Sequence, residues 1–316
     1  VTSAAAPSAI VPSLFNDPAF HMLNGAAGIL LEHSEAGHPV GALGGALLDD
    51  GRFVSGRSAP FGGVDLVRER ETPTRIGALL DAALDRLAEL GVRDVTLRLP
   101  PACHHASFET VVFALLNRGF AVAEADLAFH VDLRPLASTD DYLAALKPPA
   151  RRALHHAADE PWSTVQADAE DAAAWDRGIA LLIENRAAKG RELSLDAAYV
   201  ERARRAFRTR IRLLELRHAG RAVAAALTYR VRPQVELVVA WGDAGHALER
   251  SPMNRLAFEV VARALAERVA VLDLGTSTLP TADGRRRVPN DGLVQFKRSV
   301  GAREQVRLVL EGAVGA

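Results

Sequence analysis

The 316-residue chain repeats itself. Leu30 to Ala42 (LLEHSEAGHPVGA) and Leu213 to Ala225 (LLELRHAGRAVAA) lie 183 positions apart and agree at seven of thirteen positions. Such self-similarity constrains the fold more than local propensity does, because both copies must encode one supersecondary unit. The shared pattern is an apolar strand, a short turn at Ala36-Gly37 or Ala219-Gly220, and a second strand from Val40 or Val223. That is the signature of a β-hairpin.

The copies continue alike. Each hairpin is followed by a further strand, Arg52 to Gly56 or Val235 to Trp241, then by a loop and a helix opened by proline. Thr72 is the expected cap of the first helix with Pro73 in its first turn, and Ser251 and Pro252 take these places in the second. Ile76, Leu79, Leu80, Ala83, Leu84, Leu87 and Leu90 form one apolar stripe; Leu256, Val260, Val261, Ala264 and Leu265 form the other. The strand after the first helix alternates at Val95, Leu97 and Leu99, whereas Val269 to Leu274 is nearly continuous and predicts burial on both faces. A shorter helix ending near Gly119 or Gly301 and a final strand pair complete each copy.

The repeated order is strand, strand, strand, helix, strand, helix, strand, strand. It predicts an α/β protein with a mixed sheet, of the α+β kind, in two tandem domains over 1–136 and 137–316, each of ordinary domain size. The second domain starts with an inter-domain helix, Thr139 to Ala158, broken at Pro148-Pro149, and then helices over Asp171 to Lys189 and Asp196 to Arg208.

Composition removes several classes. With 38 Lys+Arg against 39 Asp+Glu, no global field draws the chain to DNA or an anionic membrane, and a nucleic-acid partner must find a local patch. No apolar run approaches the roughly 18 to 20 residues of a membrane span, and the start lacks the basic flank of a secretory signal, so a cytoplasmic protein is expected. The single cysteine, Cys103, excludes an intrachain disulfide. Cys103-His104-His105 and His155-His156 lack the spacing of a metal site, so no metal is expected. The nucleophile elbow, the P-loop and a Gly-x-Gly-x-x-Gly turn are absent, which removes serine hydrolase, P-loop and Rossmann chemistry.

The order of elements resembles the GNAT (acyl-CoA N-acyltransferase) fold, and its duplication resembles the Fem-type peptidyltransferases and their bacterial FemAB-like relatives. Three stretches carry the likeness. Phe15 to Phe20 (FNDPAF) with Ser58 to Gly63 (SAPFGG) is similar to the first domain of that group. Tyr142 to Ala158 (YLAALKPPARRALHHAA) with Ile183 to Arg191 (IENRAAKGR) resembles the inter-domain helix and the start of the second domain. Leu272 to Ser277 (LDLGTS) with Leu293 to Ala302 (LVQFKRSVGA) resembles a closing signature, an Asp-x-Gly turn followed by a Phe-Lys pair before a glycine. The pyrophosphate loop of CoA-binding GNATs, Gln or Arg, two positions, then Gly-x-Gly or Gly-x-Ala, is missing from both Ala59 to Thr72 and Gly242 to Asn254. Fem-type relatives also tend to lack it.

The resemblance implies transfer of an acyl or aminoacyl group to a small-molecule or peptide amine, with acyl-CoA or aminoacyl-tRNA as co-substrate and no permanently bound cofactor. It implies that Phe296-Lys297 lies at the reaction centre or on the donor, Lys297 acting as a cation near the oxyanion or a phosphate; the plain alternative is a lysine in an exposed last helical turn. Asp273 ends a buried strand, where open α/β sheets place ligands, or it caps the following loop. Tyr229 and Trp241, on central strands of the second domain, are candidates for the cleft wall or for the core. Ser277, Asn254 and Arg255 occupy the nearest loops as donor contacts, with helix capping the alternative for Asn254.

Lys147, Arg151 and Arg152 form a basic face for which the resemblance implies an anionic acceptor, and solvation is the plain alternative. Asn185 and Lys189, one helical turn apart, are placed to share an acceptor, or Lys189-Gly190 is an ordinary helix stop. Lys147, Lys189 and Lys297 are the only lysines, which leaves two alternatives: positions where a compact ammonium does what guanidinium does not, or drift in an arginine-rich chain. Arg202, Arg204, Arg205, Arg208, Arg210 and Arg212 make a local basic strip suited to a tRNA backbone or to solvent. Two readings stay open: a FemAB-like transferase, with ordinary acetyl-CoA chemistry as its variant, and a binding or assembly protein that kept the fold without catalysis.

Overall fold

A computed structural model describes residues 10–156, 160–193, 195–245, 252–284 and 286–315, the side chain of His156 excepted. The chain forms two compact units. The first holds residues up to Leu127 together with Pro280–Arg287 and the segment from Gln305 onward; the second holds Ala128–Leu279 and Val288–Glu304.

In the first unit, α1 (Pro18–Leu23) precedes the hairpin β1 (Ala27–Glu35) and β2 (His38–Leu47). Short strands β3 (Phe53–Val54) and β4 (Gly63–Leu66) both pair with β2. Helix α2 (Pro73–Glu89), strand β5 (Asp94–Arg98) and helix α3 (Phe108–Leu116) follow. Strand β6 (Ala121–Asp132) starts in this unit and finishes in the second.

The second unit opens with α4 (Thr139–Ala145), α5 (Pro148–His156), β7 (Trp162–Gln166), α6 (Ala172–Ala187) and α7 (Ala197–Ala206). The hairpin β8 (Ile211–His218) and β9 (Arg221–Arg232) follows, then β10 (Val235–Asp243), α8 (Pro252–Ala266) and β11 (Val271–Thr276). A short hairpin, β12 (Thr278–Pro280) and β13 (Arg287–Pro289), leads to α9 (Asp291–Ser299). The last strand, β14 (Arg303–Ala313), pairs antiparallel with β5 through Val309 to Ala313 and so completes the sheet of the first unit. In the second unit the order is β6, β11, β10, β9, β8, β7, with only β10 and β11 parallel among these neighbours.

The repeat is physical. Ala36 and Gly37 take φ of 49° and 76°, and Ala219 and Gly220 take 47° and 79°. Both turns therefore have two successive residues in the left-handed region, the geometry that matches the twist of a two-residue hairpin. Thr72 accepts a bond from the Arg75 amide and Pro73 starts α2; Pro252 starts α8, while Ser251 lies outside the described residues. Ile76, Leu79, Leu80, Ala83 and Leu87 are buried as expected, but Leu90 is 41% exposed because it sits at the helix cap.

The structure corrects local readings. The break in Thr139 to Ala158 falls at Leu146-Lys147, before the prolines: Leu146 is extended, and Pro148 opens α5. A ring with fixed φ and no amide suits the first turn of a helix, so the pair starts a helix where an interruption was expected. Strands β4 and β7, and the β12–β13 hairpin, have no counterpart in the expected order. Ser58 to Gly63 is a tight connection into β4, where a Cβ on Gly62 would meet the Gly56 nitrogen at 2.6 Å. Asn16 of the FNDPAF stretch donates to the Gly63 carbonyl at 2.9 Å, and Phe15 packs edge-on against Phe61. The likeness of these two stretches thus describes one packed corner of the first unit. No helix among the described residues is long and apolar enough to cross a membrane.

Candidate functional site in the second unit

The closing signature builds one local structure. The pairing of β11 with β6 slips between Asp273 and Thr276, and Gly275 inside the slip has φ +70°. This is a bulge whose backbone favours glycine. Asp273 is fully buried, and its Oδ1 accepts the Gly275 amide at 2.7 Å. From the other side, Lys297 Nζ donates to the carbonyls of Gly275 at 2.9 Å and Thr276 at 2.8 Å. Asp-x-Gly and Phe-Lys are therefore complementary parts: the carboxylate holds the bulge by its N–H, the ammonium by its C=O groups.

Helix α9 delivers Lys297 because both its ends are tied. The Asn290 side chain caps its first turn, and the Asn290 amide donates to Ser277 O at 2.8 Å. At the other end, Tyr142 of α4 donates its hydroxyl to Val300 O at 2.9 Å. The lysine stem reaches inward over the ring of Phe129, 5.5 Å from Nζ to centroid, and the residue is only 1% exposed. Burial pulls its pKa from 10.5 down to about 7; Asp273 opposes the shift and Arg186 adds to it. An ammonium has three donors. The two carbonyls take two of them.

Other expected residues gather around this centre. Phe296, next to Lys297, meets Trp241 of β10 edge-on at 5.2 Å. Ser277 is 1% exposed, and its hydroxyl has no hydrogen-bond partner among the described residues. A buried hydroxyl without a partner forfeits free energy that a bound ligand can return.

The remaining candidates lie elsewhere in the unit or are engaged. Tyr229 is 2% exposed on β9, and burial together with Tyr199, which it contacts, raises its pKa well above 10. It belongs to the core. Asn185 donates to Asp243 O at 2.7 Å and Oδ1 at 3.0 Å, tying α6 to the end of β10. Lys189 donates to Asn185 Oδ1 at 2.9 Å, so the two bond each other rather than a common acceptor. Arg255 pairs with Glu259 one turn along α8 and lies over Phe258, while Asn254 is partly buried in the first turn of α8. Lys147 and Arg152 are exposed and Arg151 is partly so, with Lys147 just before α5 and its carbonyl accepting the Arg151 amide.

The arginine strip is largely spent on protein partners. Arg204 pairs with Glu201 and with Ala169 O, Arg205 with Glu201, Arg208 with Glu170, Arg212 with Glu267, and Arg210 donates to the carbonyls of Arg230 and Val231. Cys103, in the first unit, accepts from Gln305 Nε2, and His104 packs edge-on against Phe61. One residue beside the centre has no motif to announce it: the β6–β11 register sets His130 opposite Asp273. A polar residue between Phe129 and Val131 is ordinary strand alternation, so nothing in the sequence singles it out.

Residues 149–298 match the family model described as the acetyltransferase (GNAT) domain. No curated protein matches the chain in sequence. Among solved structures the fold is similar to that of FemX, with 11% identity and a TM-score of 0.73 over 97% of this chain and 93% of that one. It is also similar to the C-terminal DUF2156 domain of a putative lysylphosphatidylglycerol synthetase from Agrobacterium fabrum, at 12% identity and TM-score 0.54 over 95% and 88% of the two chains. L-PGS from Bacillus licheniformis gives 11% identity and TM-score 0.55 over 96% and 93%. The overall fold is thus shared with FemX, and the GNAT-domain match covers residues 149–298.

Proposed function

We propose that the protein transfers an acyl or aminoacyl group to an amine, with the reaction centre at the Asp273–Gly275–Lys297 bulge. One observation carries this reading: Lys297 is held rigidly by two carbonyls with a third donor uncommitted to them, beside a buried Ser277 hydroxyl lacking a partner. A fixed cation or N–H donor in a nearly dry site is what a developing oxyanion requires, since it needs no reorganisation as charge appears. Phe296 and Trp241 supply an apolar wall against which a donor can lie. Asp273 acts on the backbone and positions the bulge. Two relatives fit a reaction of this class: FemX by its fold, and the putative lysylphosphatidylglycerol synthetase domain by the aminoacylated lipid in its name.

The donor is either an acyl-CoA or an aminoacyl-tRNA, and the acceptor is an amine of a small molecule or peptide. Lys147, just before α5, and Arg151 and Arg152 on it are the proposed contact for an anionic part of either partner. A second reading has its own observation. The carboxylate and ammonium satisfy each other's bulge without any ligand, so a binding protein that lost catalysis would keep them for stability alone.

A thermal-shift titration with acetyl-CoA, CoA and bulk aminoacylated tRNA tests the first reading, because a ligand of the native state raises stability by RT ln(1 + [L]/Kd). A saturable shift that is lost in Lys297→Met supports it. No shift with any of the three, up to about 10³ times a micromolar Kd, would reject it in favour of the second.

A further inference from the structure

The bulge has a neighbour that the transfer reading leaves unused. His130 and Asp273 are direct Cα partners in the antiparallel β6–β11 ladder. Facing residues of such a pair project to one side of the sheet with Cβ atoms about 4.5–5.5 Å apart. His130 therefore shares a face with the carboxylate that holds the Gly275 amide. Its Nδ1 is buried and has no hydrogen-bond partner among the described residues, while the residue itself is only partly buried.

We propose that His130 is the general base of the transfer reaction, accepting the proton of the attacking amine while Asp273 opposite steadies the charged ring. The assignment rests on the acyl-transfer reading above. It follows from exclusion as well as from position: Asp273 is fully buried and committed to the bulge, and Lys297 is committed as a donor. In the reaction the neutral amine attacks the carbonyl carbon of an ester or thioester donor. The N–C bond forms, and the C–O or C–S bond breaks with its electron pair leaving on oxygen or sulfur. The amine proton passes to a ring nitrogen of His130 and then to the leaving oxygen or sulfur, which returns the imidazole to neutral. Burial lowers the pKa of His130, with Asp273 and Asp132 opposing and Arg303 and Arg134 reinforcing the shift, so the ring enters the cycle unprotonated near pH 7. A neutral imidazole beside a carboxylate is equipped to take one proton and to hold it briefly.

Two experiments on the full chain test the assignment. Imidazole resonances are followed by NMR from pH 5 to 9 in the wild type and in Asp273→Asn, with His130→Gln identifying the signal. The expected result is a neutral His130 at pH 7 whose pKa falls further in Asp273→Asn; a ring already charged at pH 7 would overturn the proposal. Transfer is then measured with acetyl-CoA and with bulk aminoacylated tRNA as donors and glycinamide as the acceptor. His130→Gln is expected to lose about 10²- to 10⁴-fold in kcat/KM at an unchanged thermal midpoint, and to lose the acidic limb of the pH profile. Added imidazole should restore part of the activity of His130→Gly, a recovery that a packing role would not give. A wild type and His130→Gln of equal rate and identical pH profile would remove the base and leave the transfer reading intact. A wild type inert with both donors, its His130 neutral at pH 7, would instead remove the transfer reading and the base with it.

Discussion

Lys297 makes a pH-dependent contribution to stability that can be worked out before any substrate is known. The amine is 1% exposed, and burial brings its pKa from 10.5 to about 7. In the unfolded chain the ordinary value returns. Between pH 7 and 10.5 the unfolded state therefore binds more protons than the folded state, so stability rises with pH across that window. Below pH 7 both states are protonated, and the folded state bears the full cost of a buried cation. Integrated from pH 7 to pH 9, the rise is about 2 kcal/mol, approaching a slope of about 1.4 kcal/mol per unit.

The informative quantity is the difference from Lys297→Met, which keeps an apolar stem and has no charge. That variant strands the carbonyls of Gly275 and Thr276, an offset of about 1–3 kcal/mol each that does not vary with pH. Urea unfolding at pH 7, 8 and 9 should show the wild type gaining about 2 kcal/mol on Lys297→Met from the lowest to the highest pH. Parallel stabilities at the three pH values would refute the claim that the ammonium is desolvated in the folded state.

Three further outcomes are expected. Burial alone would raise the Glu236 carboxyl, but Arg263, the Thr228 hydroxyl and Arg230 outweigh it and hold the pKa below 4.5; its stabilisation is thus present above 4.5 and lost as pH falls through the folded value. An acid titration by circular dichroism should therefore be shallower for Glu236→Gln, and urea unfolding at neutral pH should show Glu236→Ala weaker by about 1–3 kcal/mol, since Arg230 and Arg263 lose this partner and keep Glu267. Gly56→Ala places a Cβ 2.7 Å from the carbonyl carbon of Phe61 at φ +64°, and a lowered thermal midpoint corresponding to at least about 1–2 kcal/mol is expected. Asn185→Ala removes the tie between α6 and Asp243 and leaves Lys189 without this acceptor, costing about 1–3 kcal/mol by urea unfolding.

Much of the fold was legible because its signals are local and doubled. Ala-Gly turns, an opening proline and a helical stripe each occur twice, and a chance pattern in one copy is corrected by the other. Strands β4 and β7 escaped for a different reason. Gly63–Leu66 is short and follows glycines, and Trp162–Gln166 has exposed or half-exposed residues throughout, so neither shows the apolar alternation from which strands are read. The destination of β14 was hidden too, because pairing with β5 is a matter of which edge the last strand finds, and its burial pattern fits more than one partner.

The site divides along the same line. Asp273, Gly275, Phe296 and Lys297 were legible because one backbone irregularity needs all of them: a glycine to turn, an acceptor for its N–H, and a long donor for the exposed carbonyls. Arginine would not serve, since a rigid planar fork differs from an ammonium that meets converging carbonyls as a point, and this gives a physical reason for lysine in a chain whose other basic residues are nearly all arginine. His130 was illegible because its relation to Asp273 is one of register. A shift of one residue would turn its ring to the opposite face, and nothing within the sequence of β6 fixes that choice. The bulge does fix it: Asp273 can hold the Gly275 amide only where the ladder slips, and the pair just before the slip is Asp273 with His130. The irregular strand that offers its carbonyls to the lysine therefore also selects the residue facing the carboxylate.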